Sequence, residues 1–179
     1  MSKLALTPSQ TVGPFFHYCL APADYPYDGL VPTAIEGAGA ALELSGSVFD
    51  GDGVAVGDAL LEFWQADAAG RRLASNAPFQ GFARVATSAE GVYKLRTAMP
   101  GPVGAQAPHL SVSVLGRGLL NRLHTRVYFA DQAANAQDSV LALVPSDRRG
   151  TLVATLETPG KYRFDIRLQG TGETVFFQV

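Results

Sequence analysis

One short segment, 108–114, carries the side chains of this sequence best suited to chemistry. Its residues alternate between polar and apolar types, which predicts a β-strand with His109, Ser111 and Ser113 on one face. Alternate residues of a strand lie about 7 Å apart, so a His-x-His pair on such a face brings two imidazoles within reach of one metal ion. Ser111 stands at the second position, and a neutral serine is a poor ligand. The segment therefore offers half of a metal site.

A second polar face offers the other residues from which a metal site could be built. Segment 123–129 also alternates, with His124, Arg126 and Tyr128 on one face. If the two strands pair, His109, His124 and Tyr128 can meet, and zinc or iron needs three or four ligands at short distances. The sequence does not fix the register of the two strands, so two interpretations remain open. One is a residual metal site; the other, which is more common, is that the histidines lie in the core or an interface with their hydrogen bonds satisfied.

Short strands separated by turn residues must position these side chains. Nineteen Gly and eleven Pro interrupt short apolar runs, which favours strands and turns over long helices. A chain of 179 residues fits one domain with a sizeable core. We therefore expect an all-β fold, a single-domain β-sandwich spanning 1–179. The predicted strands are 41–49, 60–66, 92–97, 108–114, 123–129, 151–157 and 161–169, with 71–83 as a loop and a short helix beginning within 130–135.

Composition argues against several classes of protein. The net charge of −2 gives no electrostatic footprint for nucleic acid or an acidic membrane surface. No apolar stretch approaches ~18 residues, so no membrane span is expected. The first six residues are too short for the apolar core of a signal peptide. Cys19 is the single cysteine, which precludes an internal disulfide and fits the reducing cytoplasm, where we expect the protein.

Three motifs are similar to those of a known family. The runs PGPV at 100–103, APHLS at 107–111 and WQADAAG at 64–70 resemble the intradiol aromatic-ring dioxygenases, and the resemblance extends over almost the whole chain. Trp64 is predicted to contribute buried area, and Asp67 to accept backbone N–H groups at the turn that follows it. We expect both residues to shape the fold without taking part in chemistry.

The sequence departs from the iron-bearing members of this family at the metal ligands. Those members carry a tyrosine after PGP and a second histidine two residues after the first, where this chain has Val103 and, after His109, Ser111. Their other ligand tyrosine lies in a loop that corresponds to 71–84, which contains no tyrosine here. Gln106 stands where they have an arginine that assists the reaction. The resemblance thus implies a degenerate site that holds no metal.

The resemblance is strongest to iron-free α subunits that pair with an iron-bearing β subunit. It implies a hetero-oligomer of αβ units in which the β partner binds Fe(III). The implied substrates are the catechol acid protocatechuate and O2. This chain is then expected to carry no catalytic residue of its own, and to supply structure and part of the substrate pocket.

The same resemblance implies which residues of this chain contact substrate. They are Thr11, Gly13, Pro14, Phe15 and Arg117. The first four belong to an arm within 1–40 that is poor in regular structure and is expected to pack on the partner. Arg117 lies at a turn between two glycines; such arginines are usually solvated, but a guanidinium also suits bidentate binding of a carboxylate. The apolar tail 175–177 is expected to need cover from the partner.

Two other functions remain open at the level of sequence. A self-sufficient catechol-type dioxygenase requires ligands that this chain lacks. A non-enzymatic β-sandwich that serves binding or assembly is compatible with the fold class, because one fold hosts many functions. The iron content of the isolated chain separates the first of these from the subunit hypothesis, and co-purification with a second chain of similar size separates the other.

Overall fold

The computed structural model describes residues 6–13, 32–37, 39–72 and 79–178. Within these residues the regular structure consists of nine strands and three short 3-10 helices. The strands are β1 (Ala41–Phe49), β2 (Leu60–Trp64), β3 (Phe82–Ala86), β4 (Val92–Ala98), β5 (His109–Leu115), β6 (Leu123–Phe129), β7 (Val153–Thr158), β8 (Lys161–Arg163) and β9 (Ile166–Arg167). The 3-10 helices are Ala133–Gln137, Leu141–Leu143 and Arg149–Leu152. The predicted all-β fold is confirmed.

The strands form a folded sheet whose two halves meet at β7. The order is β3-β2-β5-β6-β7-β8-β1-β4, with β9 added beside β1. Pairing is antiparallel except between β6 and β7, β1 and β8, and β1 and β9. Among the described residues, no helix is long and apolar enough to cross a membrane.

The hydrophobic core lies between the two halves. Leu44 and Tyr93 from the β1–β4 half share one buried cluster with Phe63 and Val112 from the β2–β5 half. The rings of Phe63 and Tyr93 approach to 5.8 Å between centroids, which joins the halves directly. Burial of each large apolar side chain contributes about 1.5–3 kcal/mol, so this cluster accounts for much of the fold.

Strand β3 was not predicted, because its residues were assigned in part to the loop 71–83. The short run FARVA is stabilised by its neighbour β2 more than by its own pattern. Arg84 lies opposite Glu62 across the pair, with 2.6 Å between Nη2 and Oε1, and Phe82 lies opposite Trp64. Such cross-strand pairs stabilise a sheet, but they become visible only once the register is known.

The predicted strand 161–169 is divided in the structure. The backbone leaves the ladder after β8, where the carboxylate of Asp165 accepts the Ser47 N–H at 2.9 Å, and it resumes as β9. The inward face is as expected: Tyr162, Phe164 and Ile166 are all buried. The division therefore changes the hydrogen bonding of the segment and leaves its side-chain alternation intact.

The C-terminal tail packs on its own chain, although its apolar side chains at 175–177 stay partly exposed. The Phe177 N–H donates to the carbonyl of His124 at 2.7 Å, and the Thr125 hydroxyl donates to the carbonyl of Val175 at 2.8 Å. Val175 and Phe177 pack against a small second cluster that includes Tyr128. The tail thus braces the outer side of β6 without completing a strand.

A substitution at Gly46 tests the close approach of β1 to the break between β8 and β9. A Cβ atom at Gly46 falls 1.8 Å from the carbonyl oxygen of Phe164, which is backbone and cannot rotate away. We expect Gly46→Ala to lower the free energy of unfolding by about 1–3 kcal/mol, as overpacking does. Urea denaturation measures this difference.

The control is Gly150→Ala. Nothing lies within 4 Å of a Cβ at that position, and Gly150 is part of a 3-10 helix where alanine is at least as favourable. Equal stability losses in the two variants would show that the contact between Gly46 and Phe164 does not constrain the fold.

Candidate functional site

The polar faces of β5 and β6 lie side by side. The antiparallel register places His109 opposite Tyr128, Ser111 opposite Arg126, and Ser113 opposite His124. His109 and Tyr128 are neighbours, with ring centroids 5.7 Å apart. His124 lies four register pairs further on, about 13 Å from His109 along the strands, and instead contacts Ser113 at 3.2 Å. The three candidate ligands therefore do not converge on one point, and the residual metal site considered from the sequence is not formed.

The residues at this face do not fit the iron of a dioxygenase. Val103 has no donor atom, and Ser111 faces the guanidinium of Arg126, a fixed positive charge that repels a cation. Within the described part of the chain, no group of three or more His, Cys, Asp or Glu side chains could hold a metal ion. His109 is the one good ligand at this point, and a single imidazole does not bind a metal tightly.

Arg126 is held by neutral oxygen atoms. Its Nη1 donates to the side-chain oxygen of Gln106 at 3.0 Å and to the hydroxyl of Tyr128 at 3.3 Å. Burial raises the pKa of Tyr128 to about 12, so the phenol keeps its proton at neutral pH. Tyr128 can therefore accept from Arg126 while it donates its own proton to Asp138 at 3.1 Å.

Asp138 completes this chain of hydrogen bonds. Only 1% of its surface is exposed, and its two oxygens accept the backbone N–H groups of Ala107, Val140 and Leu141 at 2.6–2.8 Å. Burial acts to raise the pKa of Asp138, but these donors outweigh burial and hold the pKa below its usual 3.8. Asp138 is thus an anion fixed by backbone, and it orients Arg126 through Tyr128.

His109 is a neutral residue at the inner end of this face. It is 6% exposed, and its Nδ1 lies 2.8 Å from the carbonyl of Ala107, so Nδ1 carries the proton and donates it. Burial lowers the pKa of His109 from its usual 6.5, and the positive charges of Arg126 and Arg72 act in the same direction. Its Nε2 is left as an acceptor.

A cavity of about 660 Å³ lies over this face. Its floor includes His109, Ser111 and Arg126, and its walls include the aromatic side chains of Trp64, Phe79 and Phe82. The rings of Trp64 and Phe82 lie 4.3 Å apart. Trp64 is 53% exposed, so the prediction that it contributes buried area to the core is wrong; it forms part of the cavity wall.

The turn after Trp64 packs against the segment that bears Val103, at the edge of the cavity. As predicted, Asp67 accepts backbone N–H groups, from Ala69 at 2.9 Å and from Arg71 at 2.8 Å. Its own carbonyl accepts the Gly101 N–H at 2.8 Å, and Gly101 packs so closely on Ala68 that a Cβ would lie 2.4 Å from the carbonyl oxygen. The WQADAAG and PGPV motifs are therefore one packed unit.

Thr11 and Arg117, two of the predicted substrate contacts, do not line this cavity. Thr11 accepts the Gly118 N–H at 2.7 Å, which joins the N-terminal arm to the turn that bears Arg117. Arg117 is 67% exposed and pairs with Asp58. This turn follows the far end of β5, about 20 Å from His109. Gly13 is described, and a Cβ at this position would have no described atom within 4 Å. Pro14 and Phe15 lie outside the described residues, as do most of the segment 14–40 and the loop residues 73–78.

Sequence reasoning did not single out the residues that organise this face. Arg126 was placed on the correct face of β6, but its position opposite Ser111 depends on the register. Asp138 had one available signal, since an acidic residue before a short helix accepts N–H groups at the helix start. Its contact with Tyr128 depends on the tertiary fold alone.

Known proteins share both the sequence and the fold. A family model described as "Dioxygenase" matches residues 12–170. The chain belongs to the intradiol dioxygenase family. It is 50% identical to the protocatechuate 3,4-dioxygenase alpha chain of Burkholderia cepacia, over 100% of both chains, and 44% identical to that of Pseudomonas putida, over 96% and 95%.

More distant members fit the same assignment. The protocatechuate 3,4-dioxygenase beta chain of Burkholderia cepacia is 32% identical, over 78% of this chain and 68% of that one. Among solved structures, the dioxygenase domain of a carbohydrate-binding fusion protein from Streptomyces sp. SirexAA-E is 27% identical, with a TM-score of 0.66 over 92% of this chain and 98% of that chain. The family resemblance predicted from the three motifs is confirmed.

The neutral histidines predict a dependence of stability on pH. Burial lowers the pKa of both His109 and His124 below the 6.5 of an unfolded histidine, so the unfolded chain binds more protons as the pH falls through 6.5. We expect the free energy of unfolding to fall between about pH 7.5 and 5.5, with each histidine adding at most about 1.4 kcal/mol per pH unit. Urea denaturation across this range measures the slope.

His109→Gln should flatten this slope more than His124→Gln, because His109 is the more deeply buried of the two. A slope unchanged in both variants contradicts the assignment of neutral histidines.

Proposed function

We propose that this chain is the metal-free α subunit of a protocatechuate 3,4-dioxygenase. The main support is its 50% identity, over the full length of both chains, with the alpha chain of that enzyme from Burkholderia cepacia. The position of Arg126 opposite Ser111 supports the metal-free role, because a guanidinium stands beside the position of the missing ligand. The same feature argues against a self-sufficient dioxygenase. We take residues 1–179 to form one domain with an N-terminal arm.

The iron of the enzyme then belongs to a β subunit. Intradiol dioxygenases are Fe(III) enzymes, and the similarity of this chain to a beta chain as well as to alpha chains supports assembly from two related subunits in αβ units. The reaction opens protocatechuate between its two hydroxyl-bearing carbons and inserts both atoms of O2, which gives 3-carboxy-cis,cis-muconate. We assign no chemical step of this reaction to a residue of this chain.

The contribution of this chain to turnover is a contact with the substrate across the subunit interface. Thr11 and Arg117 support this proposal, because the arm and the turn that bear them meet at an exposed surface. We place Gly13, Pro14 and Phe15 in the same wall. The ion pair between Arg117 and Asp58 is exposed, and such pairs are weak, so a substrate carboxylate can replace Asp58 as the partner of the guanidinium.

Metal analysis of the separated subunits tests the assignment of iron. We expect the β subunit to retain iron and this chain to retain none, because three of the four ligand positions are lost and Arg126 repels a cation. Elemental analysis and visible absorption of each subunit measure this. Near-stoichiometric iron in this chain, with the colour of a tyrosinate-to-iron charge transfer, contradicts the proposal.

Arg117→Ala tests the contact across the interface. We expect kcat/KM for protocatechuate to fall roughly 10- to 150-fold, the effect of a lost charge-assisted hydrogen bond of about 1.5–3 kcal/mol, while assembly and iron content stay intact. Catechol, which lacks the carboxylate, should lose little.

Two further variants serve as controls for Arg117→Ala. Arg122→Ala removes another exposed arginine from the turn between β5 and β6, and Asp58→Asn frees the Arg117 guanidinium; neither should lower kcat/KM for protocatechuate. If protocatechuate and catechol lose equally, or if iron is lost from the complex, Arg117 is structural and the proposed contact is wrong.

A further inference from the structure

The cavity over β5 and β6 has the size and the walls of a ligand site. Pockets for small molecules typically enclose about 300–1,000 Å³, and this one encloses about 660 Å³. The rings of Trp64 and Phe82 are in contact and tilted by 39° to each other, and Trp64 remains half exposed although it is the largest apolar side chain nearby. A planar ring placed against this wall would bury apolar area that is otherwise in contact with water.

The charge of the cavity is positive and uncompensated. Its described lining includes Arg126 and Arg72 but no Asp or Glu. Arg84, Arg71 and Arg117 each pair with a carboxylate, whereas the acceptors of Arg126 are the neutral oxygens of Gln106 and Tyr128. Among the described residues, Nε and Nη2 of Arg126 have no acceptor. A half-buried guanidinium with free N–H groups is a binding site for an anion.

The guanidinium is also fixed before any ligand arrives. Asp138 holds Tyr128, and Tyr128 with Gln106 holds Nη1 of Arg126, so little side-chain freedom remains to be lost on binding. Asp138 itself is saturated by backbone N–H groups and does not line the cavity. It therefore orients Arg126 without offering its carboxylate as a competing partner inside the cavity.

Neutral polar groups on the floor add selectivity. Nδ1 of His109 donates to the Ala107 carbonyl, which leaves Nε2 as an acceptor for a ligand hydroxyl, and the Ser111 hydroxyl both donates and accepts. Together with the guanidinium, these groups match a molecule that has a carboxylate at one end of a ring and a hydroxyl on the ring.

We propose that this cavity binds a small hydroxylated aromatic carboxylate without a metal, with the carboxylate on Arg126 and the ring against Trp64 and Phe82. The ligand can come from two sources, a catechol acid or a benzoate with a single hydroxyl, and both carry the same recognised groups. The site belongs to this chain and requires no turnover, so its test does not depend on the proposed reaction.

Trp64 provides a local reporter of binding. It is the single tryptophan of this chain and lies in the cavity wall, so a ring stacked on it should quench its fluorescence. The experiment uses the full assembly under anaerobic conditions, titrated with protocatechuate in one arm and 4-hydroxybenzoate in the other. The same titration of a Trp64→Phe assembly identifies the part of the signal that arises in this cavity. 4-Hydroxybenzamide is the matched ligand without charge.

We expect saturable quenching of the Trp64 signal by at least one of the two acids, and no comparable response to the amide. Arg126→Gln should weaken binding roughly 10- to 150-fold, because a charge-assisted contact is lost, whereas Arg122→Gln, an exposed arginine outside the cavity, should leave it unchanged. Arg126→Lys keeps the charge but loses the paired N–H donors of the guanidinium, so its affinity should lie between those of Arg126→Gln and Arg122→Gln.

A second variant tests the proposal independently, in case a substitution of Arg126 disturbs folding. Ser111→Leu fills the floor of the cavity and leaves the hydrogen bonds of Arg126 in place, so it should abolish quenching in an assembly of normal melting temperature. Absence of any Trp64 response to both acids at millimolar concentration overturns the proposal. So does equal binding of the acids and the amide, or quenching that persists in both Arg126→Gln and Ser111→Leu.

Discussion

The hydrogen-bonded chain from Asp138 through Tyr128 to Arg126 determines the character of this protein's polar face. Asp138 is buried and satisfied by backbone N–H groups, so its charge is part of the fold. Tyr128 donates to Asp138 and accepts a hydrogen bond from Arg126, which orients the guanidinium. Arg126 lies opposite Ser111 on the paired strands. An internal cation therefore takes a position where a metal-bearing relative needs ligands. The neutral state of His109 follows from the same surroundings, since burial and this cation both oppose its protonation.

The architecture separates two kinds of surface on one pair of strands. The inner end of β5 and β6 carries the cavity, while the turn beyond β5 carries Arg117 and receives the N-terminal arm through Thr11. The turn begins beyond the end of β5, whereas the cavity lies over the side of the paired strands, from His109 to His124. The two surfaces can serve different partners of the same chain.

Much of the fold could be predicted from the sequence because alternation is local. The strands at 41–49 and 123–129 appear with the predicted bounds, and the buried face of 161–169 is correct although the strand is divided. Strand β3 was not predicted, because Arg84 and Phe82 are stabilised by partners on β2 that the local sequence does not reveal. The site was harder, because the residues opposite Ser111 depend on register and the contact with Asp138 joins segments that no local pattern connects. The resemblance predicted the loss of metal ligands but not the guanidinium of Arg126 opposite Ser111.

The positive charge on the β5–β6 face belongs to a side chain, Arg126, and not to a bound metal ion, which has a consequence for how this chain folds. A metal that completes a fold can be removed by a chelator, and its occupancy follows the supply of the ion. The guanidinium of Arg126 is part of the chain and cannot dissociate. The hydrogen bonds that hold Arg126 on the β5–β6 face are therefore formed by the protein alone and need no metal ion. Under the proposed assignment of iron to a β subunit, newly made copies of this chain can fold before any iron has been delivered.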